Sequence, residues 1–485
     1  MLIGTEYVLI DNAARADSLA EMLAPVGLAV AKPLPEQIAW DKMQPTRAAA
    51  IDFAQLDNFV SAFQGAGFSE LILALKSNSA WASRAYGQLV HPDPAPKPEF
   101  VDDYEAWISA VVERYDGDGD DDMPGLGRPV RYYEIGSEFS SYEPEPVDEY
   151  LAMLERAYSA AHRSFAGAIV THAAFLTTLA FASRPEPEQY ETAFEAVPDT
   201  THGLADIRRV LDRPDLFDVL NVHALGDPYE IEDITAWLRY EMAQRSYAKP
   251  IIVSDTATTP FIAWGPASVC DRDPRQMGRV VPPAVEADRC RLAAYFSSLL
   301  ADDDATVRWV QSFAARDLVY KVVVAADQDI QLLNTAFTED LLLLKLPFAQ
   351  AGAGNSPWAG LVDVARQERR AAYYALQQLA GHLADYDAIT RVAYDDEGVR
   401  VYQVSQNEQR SWIAWYDPGD LVLPGDAVPQ TEIRLDVSLP TITTEELITQ
   451  AEQTQPVVSV LQTDDGIAKL VLTSAPLFIT PDQGR

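Results

Sequence analysis

Glu138 and Asp255 are the two residues best placed to do chemistry. Glu138 closes the run Arg131-Tyr132-Tyr133-Glu134-Ile135-Gly136-Ser137-Glu138-Phe139, and Asp255 closes Pro250-Ile251-Ile252-Val253-Ser254-Asp255. Each run has the apolar and aromatic content of a buried strand, and each ends in an acid. Parallel α/β barrels carry their reactive groups at the carboxyl ends of strands. Two carboxyl groups across a cleft suffice to cleave a glycosidic bond. One protonates the leaving oxygen, and the other attacks the sugar or activates water. Glu138 suits the acid/base role, and Asp255 that of nucleophile or base. Ordinary structure also uses such residues, as a strand-end carboxylate or as a cap to the turn at Thr256 to Pro260.

Further candidates follow from position. His223 ends Phe217-Asp218-Val219-Leu220-Asn221-Val222-His223, and His172 follows Ala168-Ile169-Val170. Either can orient a carboxylate or bond a sugar hydroxyl, and either can equally be a satisfied core histidine. Ser137, Asn78 and Tyr229 offer hydrogen bonds to substrate. Trp81, Trp264 and Trp309 offer ring faces on which sugars stack. Asn is also a common turn residue and Trp a common core residue. Glu134 lies four positions before Glu138, so strand alternation points both inward. A buried Glu134 needs a cation, for which Lys76 is the candidate.

Such residues need a scaffold that gathers strand ends. Strand candidates are Tyr7 to Ile10, Leu28 to Val30, Leu71 to Leu75, the Glu138 run, Ala168 to Val170, Val219 to Val222, Ile251 to Val253 and Val307 to Val310. Helical spacing runs through Asp17 to Leu23, Glu105 to Tyr115, Val147 to Phe165 and Arg366 to Leu383. Strands alternating with helices predict a parallel sheet, and about eight such units predict an α/β (β/α)8 barrel over residues 1–387. No Gly-x-Gly-x-x-Gly turn follows a strand, which argues against dinucleotide binding. From residue 388 to 485, alternating runs such as Val399 to Val404 and Ala468 to Leu472, with turns at Pro418-Gly419 and Pro424-Gly425, predict a small antiparallel β-sandwich.

Charge narrows the partners. The 485 residues carry 73 acidic and 37 basic side chains, a formal charge of −36. Such a surface repels nucleic acid and anionic membranes and suits a neutral glycan or glycoside. Its ordinary role is solubility. No apolar run reaches the roughly 18–20 residues of a membrane span. Met1 to Glu6 has no basic segment followed by an apolar one, so the chain is expected to be cytoplasmic as it stands, or secreted had a leader been removed. Cys270 and Cys290 fit either one disulfide or two thiols. The acidic run Asp116 to Asp122 starts like a calcium loop, but Asp121 and Gly127 stand where Gly and Glu are required, so a solvated loop is expected. No cofactor is implied, and oligomeric state is not legible.

The chain resembles the clan A retaining glycoside hydrolases, especially the β-xylosidase and α-L-iduronidase-like branch. Arg131 to Phe139 is similar to the family's fourth-strand motif, Trp40 to Pro45 to its second-strand element, and Phe217 to His223 to its sixth strand. Lys249 to Asp255 takes the place of the seventh strand, and Arg370-Ala371-Ala372-Tyr373-Tyr374 that of the last helix. The resemblance implies a retaining β-glycosidase with Glu138 as acid/base. Two positions depart from the pattern. Ser137 stands where the family has Asn, and Asp255 where it has a Glu nucleophile. One methylene less retracts a carboxylate by roughly 1 Å, which can cost roughly 100-fold in rate. The alternative from another class is therefore a catalytically degenerate barrel acting as a carbohydrate-binding or structural module.

Overall fold

The computed structural model describes residues 1–87, 92–177, 180–181, 183–195, 202–259, 286–346 and 355–481. The chain divides into two compact units. The first comprises Met1–Ala224, Glu232–Thr256 and Ile330–Thr338, and the second Leu225–Ile231, Ala257–Asp329 and Glu339–Arg485.

The first unit holds a closed barrel of β1 (Leu2–Val8), β2 (Val30–Pro33), β3 (Glu70–Leu75), β4 (Tyr132–Glu138), β5 (Ile169–Leu176), β6 (Leu220–His223), β7 (Ile251–Ala257) and β8 (Leu332–Ala336), in sequence order. Helices such as Ala13–Leu23, Ala54–Gly65, Val101–Arg114 and Val147–Ser164 alternate with the strands. Val147–Ser164 buries Tyr150, Leu151, Leu154, Ala157 and Ala161, the one-sided spacing of a helix packed on a sheet. One layer inside the barrel consists of Val30, Ile72, Tyr132, Val219, Ile252 and Leu332. Side chains fill the lower barrel, as the architecture requires, so polar groups collect at the strand ends.

Two strand expectations are corrected. β1 is Leu2–Val8, not Tyr7 to Ile10, which brings Glu6 into the sheet. Val307 to Val310 is not the eighth strand but lies in the helix Asp304–Asp327. That helix buries an almost unbroken run from Ala314 to Ala326, and a fully buried helix shows the same apolar run as a buried strand. Its start was marked by Asp303, whose side chain accepts the Thr306 N–H at the N-cap.

In the second unit, β9 (Val362–Asp363) and β10 (Glu368–Arg369) form a small hairpin. Strands β11 (Ala388–Val392), β12 (Val399–Gln406), β13 (Gln409–Tyr416), β14 (Gln430–Asp436), β15 (Thr441–Glu446), β16 (Val458–Gln462), β17 (Ile467–Thr473) and β18 (Leu477–Pro481) follow. One sheet has the order β11-β12-β13-β18-β15-β16, and the other pairs β14 with β17. Val401, Trp412, Ile433, Leu435, Leu470 and Ile479 share the core between them, as in a β-sandwich. Cys290 is engaged in a disulfide, whereas Cys270 lies outside the described residues. Among the described residues no helix is long and apolar enough to cross a membrane.

Candidate active site

Three strands that carry acids at the barrel mouth are each irregular at the place where the acid emerges. On β1, Thr5 pairs with Ala31 but Val8 with Pro33, so one extra residue bulges out around Glu6 and Tyr7, and Tyr7 has φ 58°. On β4, Ile135 pairs with His172 and Glu138 with Ala174, again one residue over. On β7, Val253 pairs with Val222 and Asp255 with His223, which makes Ser254 the extra residue. Bulges re-aim side chains next to active sites. Here they let neighbouring residues face the same centre: Ser254 and Asp255, adjacent in sequence, both point into it. Gly136 is required within the β4 irregularity. Its φ is +88°, and a Cβ there would collide with the Glu143 carboxylate. Plain alternation therefore does not account for the joint approach of Glu134 and Glu138; both come to His223 across a bulge.

His223 is the hub. Its Nδ1 lies 2.9 Å from Glu138 Oε1 and its Nε2 lies 3.1 Å from Ser254 Oγ. Lys32 Nζ donates to Ser254 Oγ at 3.5 Å, so the serine proton is left for His223 Nε2. His223 Nδ1–H then donates to Glu138. The same lysine contacts Glu134 Oε2 at 2.9 Å and Glu6 Oε2 at 3.0 Å. Burial alone would lower the Lys32 pKa, but Glu134 and Glu6 outweigh it and hold the ammonium charged. Asp255 completes the group: one nitrogen of His223 and one oxygen each of Glu138 and Asp255 lie within 4.8 Å of one another. Glu138 stays partly exposed, with 13% of its side chain open, whereas Asp255 is 4% exposed.

The cation paired with Glu134 is Lys32, not Lys76. Lys76 belongs to a second buried cluster, 3.0 Å from Glu36 and 3.7 Å from Asp93. There burial pushes the Asp93 carboxyl up to about 7 against the pull of Lys76. Burial and the nearby Asp93 likewise raise the Glu143 carboxyl.

The remaining candidates separate. Ser137 is partly exposed on β4 beside Glu138. Trp81 is partly exposed, donates Nε1–H to the Gln44 carbonyl at 2.9 Å and meets Trp40 edge-on at 5.0 Å. His172 is fully buried and stacks on Phe175. Its Nδ1 donates to the Ala173 carbonyl and its Nε2 accepts the Asn221 N–H. Burial lowers its pKa to about 4, so it is a neutral core residue rather than a substrate ligand. Asn78 spends both ends of its amide on the Gly87 backbone and braces its own loop. Tyr229 is buried, donating to Asp417 at 2.9 Å and accepting from Trp415. Trp309 sits in the helix Asp304–Asp327 beside Phe313, lining a cleft of the second unit with Arg316 and Asp417. Trp264 lies outside the described residues. In the acidic run, Asp122 accepts N–H bonds from Gly117 and Gly119, and Asp116 accepts one from Asp118, the pattern of a self-bonded turn. The Trp40 element is a short helix, Trp40–Met43, following β2.

Glu6, Lys32 and Ser254 had no place among the sequence candidates. Glu6 and Lys32 lie just outside the strand candidates Tyr7 to Ile10 and Leu28 to Val30, and only the observed β1 and β2 bring them into the sheet.

No protein-family model matches the chain, and no curated protein matches it in sequence. Solved structures do match in fold. A family 39 glycoside hydrolase from the gut symbiont Bacteroides cellulosilyticus aligns with TM-score 0.61 and 14% identity, covering 99% of this chain and 80% of that one. A glucosidase from Croceicoccus marinus aligns with TM-score 0.58 and 13% identity, covering 99% and 96%. A monomeric β-xylosidase from Caulobacter crescentus aligns with TM-score 0.57 and 12% identity, again covering 99% and 96%. The fold expected from the sequence motifs is the fold these proteins have.

Proposed function

We propose that this chain is a glycoside hydrolase that cleaves a β-glycosidic bond with retention. The observation that carries the reading is the approach of Glu138 and Asp255 to within 4.8 Å, oxygen to oxygen, at one end of the barrel. Retaining enzymes hold their carboxyl groups about 5–5.5 Å apart, and inverting ones about 6.5–9.5 Å. The likeness in fold to a glucosidase and a β-xylosidase supports the same class.

Asp255 carboxylate attacks the anomeric carbon, forming a C–O bond as the glycosidic C–O bond breaks. Glu138 gives its proton to the departing oxygen. Glu138 carboxylate then takes a proton from water, which attacks the same carbon and releases Asp255. His223 holds Glu138 through Nδ1–H and is itself oriented by Ser254, a fixed geometry of the kind that makes an acid/base effective. Lys32 holds Glu134 and Glu6 in place behind the reacting pair.

The test uses 4-nitrophenyl β-D-xyloside and β-D-glucoside, together with the corresponding disaccharides. Glu138→Gln should slow disaccharide hydrolysis by roughly 10²–10⁴-fold, the usual contribution of general acid–base catalysis. Asp255→Asn should abolish turnover of both substrate types. NMR of the first-formed sugar should find the β-anomer; the α-anomer would mean inversion. A second reading rests on the burial of Asp255 and its short side chain: glycan binding without turnover. Saturable binding of the sugars with no product would favour it.

A further inference from the structure

The two reacting acids and the histidine beside them also make the donor set of a metal site. One nitrogen of His223 and one oxygen each of Glu138 and Asp255 lie within 4.8 Å of one another. Two carboxylate oxygens and an imidazole nitrogen suit zinc and its neighbours, whereas magnesium and calcium take oxygen ligands. Ligand atoms around a tetrahedral zinc stand about 3.3–3.6 Å apart. The three atoms reach that spacing with a shift of about 1 Å, which Glu138, 13% exposed, is free to make.

Three further observations point to a cation there. Asp255 is 4% exposed, and its Oδ1 is buried and receives no hydrogen bond among the described residues. A buried carboxylate oxygen with no donor is costly, and a metal bond satisfies it. The charge around it is also one-sided. Lys32 Nζ is shared between Glu6 at 3.0 Å and Glu134 at 2.9 Å, and Glu134 Oε1 lies 3.8 Å from His223 Nε2. With Glu138 and Asp255, four carboxyl groups gather around one ammonium. Finally, His223 already has the outer support that metal-ligating histidines use. Its Nδ1 faces Glu138 at 2.9 Å, and its Nε2 lies 3.1 Å from Ser254 Oγ, a hydroxyl able to accept an N–H.

We propose that Glu138, His223 and Asp255 form a binding site for a zinc-like divalent cation, and that occupation of this site shuts off hydrolysis. The metal takes the place of the proton between His223 Nδ1 and Glu138. Any acid proton on Glu138 leaves to solvent. The His223 proton moves from Nδ1 to Nε2, where Ser254 Oγ accepts it, the reverse of the tautomer that serves the reaction. Asp255 carboxylate and Glu138 are then both bonded to the metal, so neither can attack or protonate, and cation and sugar exclude each other. Metal binding stands on the geometry alone; the shut-off rests on the hydrolase reading.

The experiment uses the whole chain, with Co2+ as the spectroscopic substitute for Zn2+. In the wild type, one equivalent of Co2+ should give visible absorption bands and a far-shifted, exchangeable imidazole N–H resonance, and Zn2+ should erase both. His223→Gln and Asp255→Asn, each with an unchanged circular dichroism spectrum, should lose them. Glu113→Gln combined with Asp118→Asn, which dismantles the separate acidic group of Glu113, Asp116 and Asp118, should keep them. Absence of the signals in the wild type, their survival in either ligand variant, or their loss in the control overturns the site. In kinetics on the 4-nitrophenyl glycosides, Zn2+ at about ten times its dissociation constant should raise the apparent KM roughly 11-fold with kcat unchanged, and EDTA should reverse the effect. Bound zinc that leaves KM unchanged, or that raises activity, overturns the shut-off. A wild type that turns over no glycoside but binds cobalt through His223 sinks the hydrolase reading and leaves the metal site standing. Turnover without cobalt binding does the reverse.

Discussion

The barrel mouth and the sandwich core bury their side chains on opposite principles. Between the two sheets of the sandwich, the core is built of apolar side chains such as Val401, Trp412, Leu435, Leu470 and Ile479. At the barrel mouth, Glu6, Lys32, Glu134, His223 and Asp255 are all buried together. Apolar burial stabilises with no demand on geometry beyond packing. Buried charge is stabilising only where partners are well placed, and replacing it by apolar side chains is often neutral or better. The sandwich sequence is thus explained by folding alone, whereas the mouth carries groups that folding does not ask for. Strand β17 makes the point in miniature: it alternates exposed and buried, with Ala468, Leu470 and Leu472 inside, while β7 is buried at every position and still includes Ser254 and Asp255.

Five substitutions test that contrast, the largest expected effect first. Lys32→Met should cost about 3–5 kcal/mol, because it leaves buried Glu134 and Glu6 without their cation. Chemical denaturation measures it, and adding Glu134→Gln should recover part of the loss. Activity per folded molecule should fall as well. Leu470→Ala, in the sandwich core, should cost about 2–5 kcal/mol and leave kcat/KM per folded molecule unchanged. A kinetic defect there would break the contrast.

The next effect concerns pH. His172 is buried neutral with its pKa lowered from 6.5 to about 4, so its contribution is present above pH 6.5 and is lost as pH falls toward 4. The loss should be roughly 3 kcal/mol, measured as the difference between the wild type and His172→Asn in how stability changes over that window. Asp93 has the opposite sign. Its pKa is raised from 3.8 to about 7, so its stabilisation is full below pH 4 and is lost as pH rises to 7. Asp93→Asn should remove that slope, an effect comparable in size to that of His172. The two slopes oppose each other in the wild type, so each is read as the difference between the wild type and its own variant; a variant that leaves the slope unchanged shows that its group is not set as described.

Legibility followed periodicity. β3, β4, β6 and β7 could be read because their runs are apolar and bounded by turns, and β12, β14 and β17 because they alternate. The eighth strand could not, since Val307 to Val310 belongs to the helix Asp304–Asp327, and a short apolar run fits a helix as well as a strand. Glu138, His223 and Asp255 were legible as polar residues closing strand-like runs. Asn78 and His172 also follow strand-like runs, yet Asn78 braces its own loop and His172 is buried among core rings, because the end of a run does not tell which side of a strand a residue faces.

Sequence by itself determined a parallel barrel followed by a sandwich, and it named the two acids at the strand ends, because hydrophobic spacing and residue type are local properties. Tertiary structure alone decided who partners whom. Bulges on β1, β4 and β7 turn adjacent residues toward one centre, and a bulge depends on the register between two strands. Lys32 meets Glu134 and Glu6 because strands far apart in sequence close into one ring, and the electrostatics of a buried acid are set by what lies across that ring.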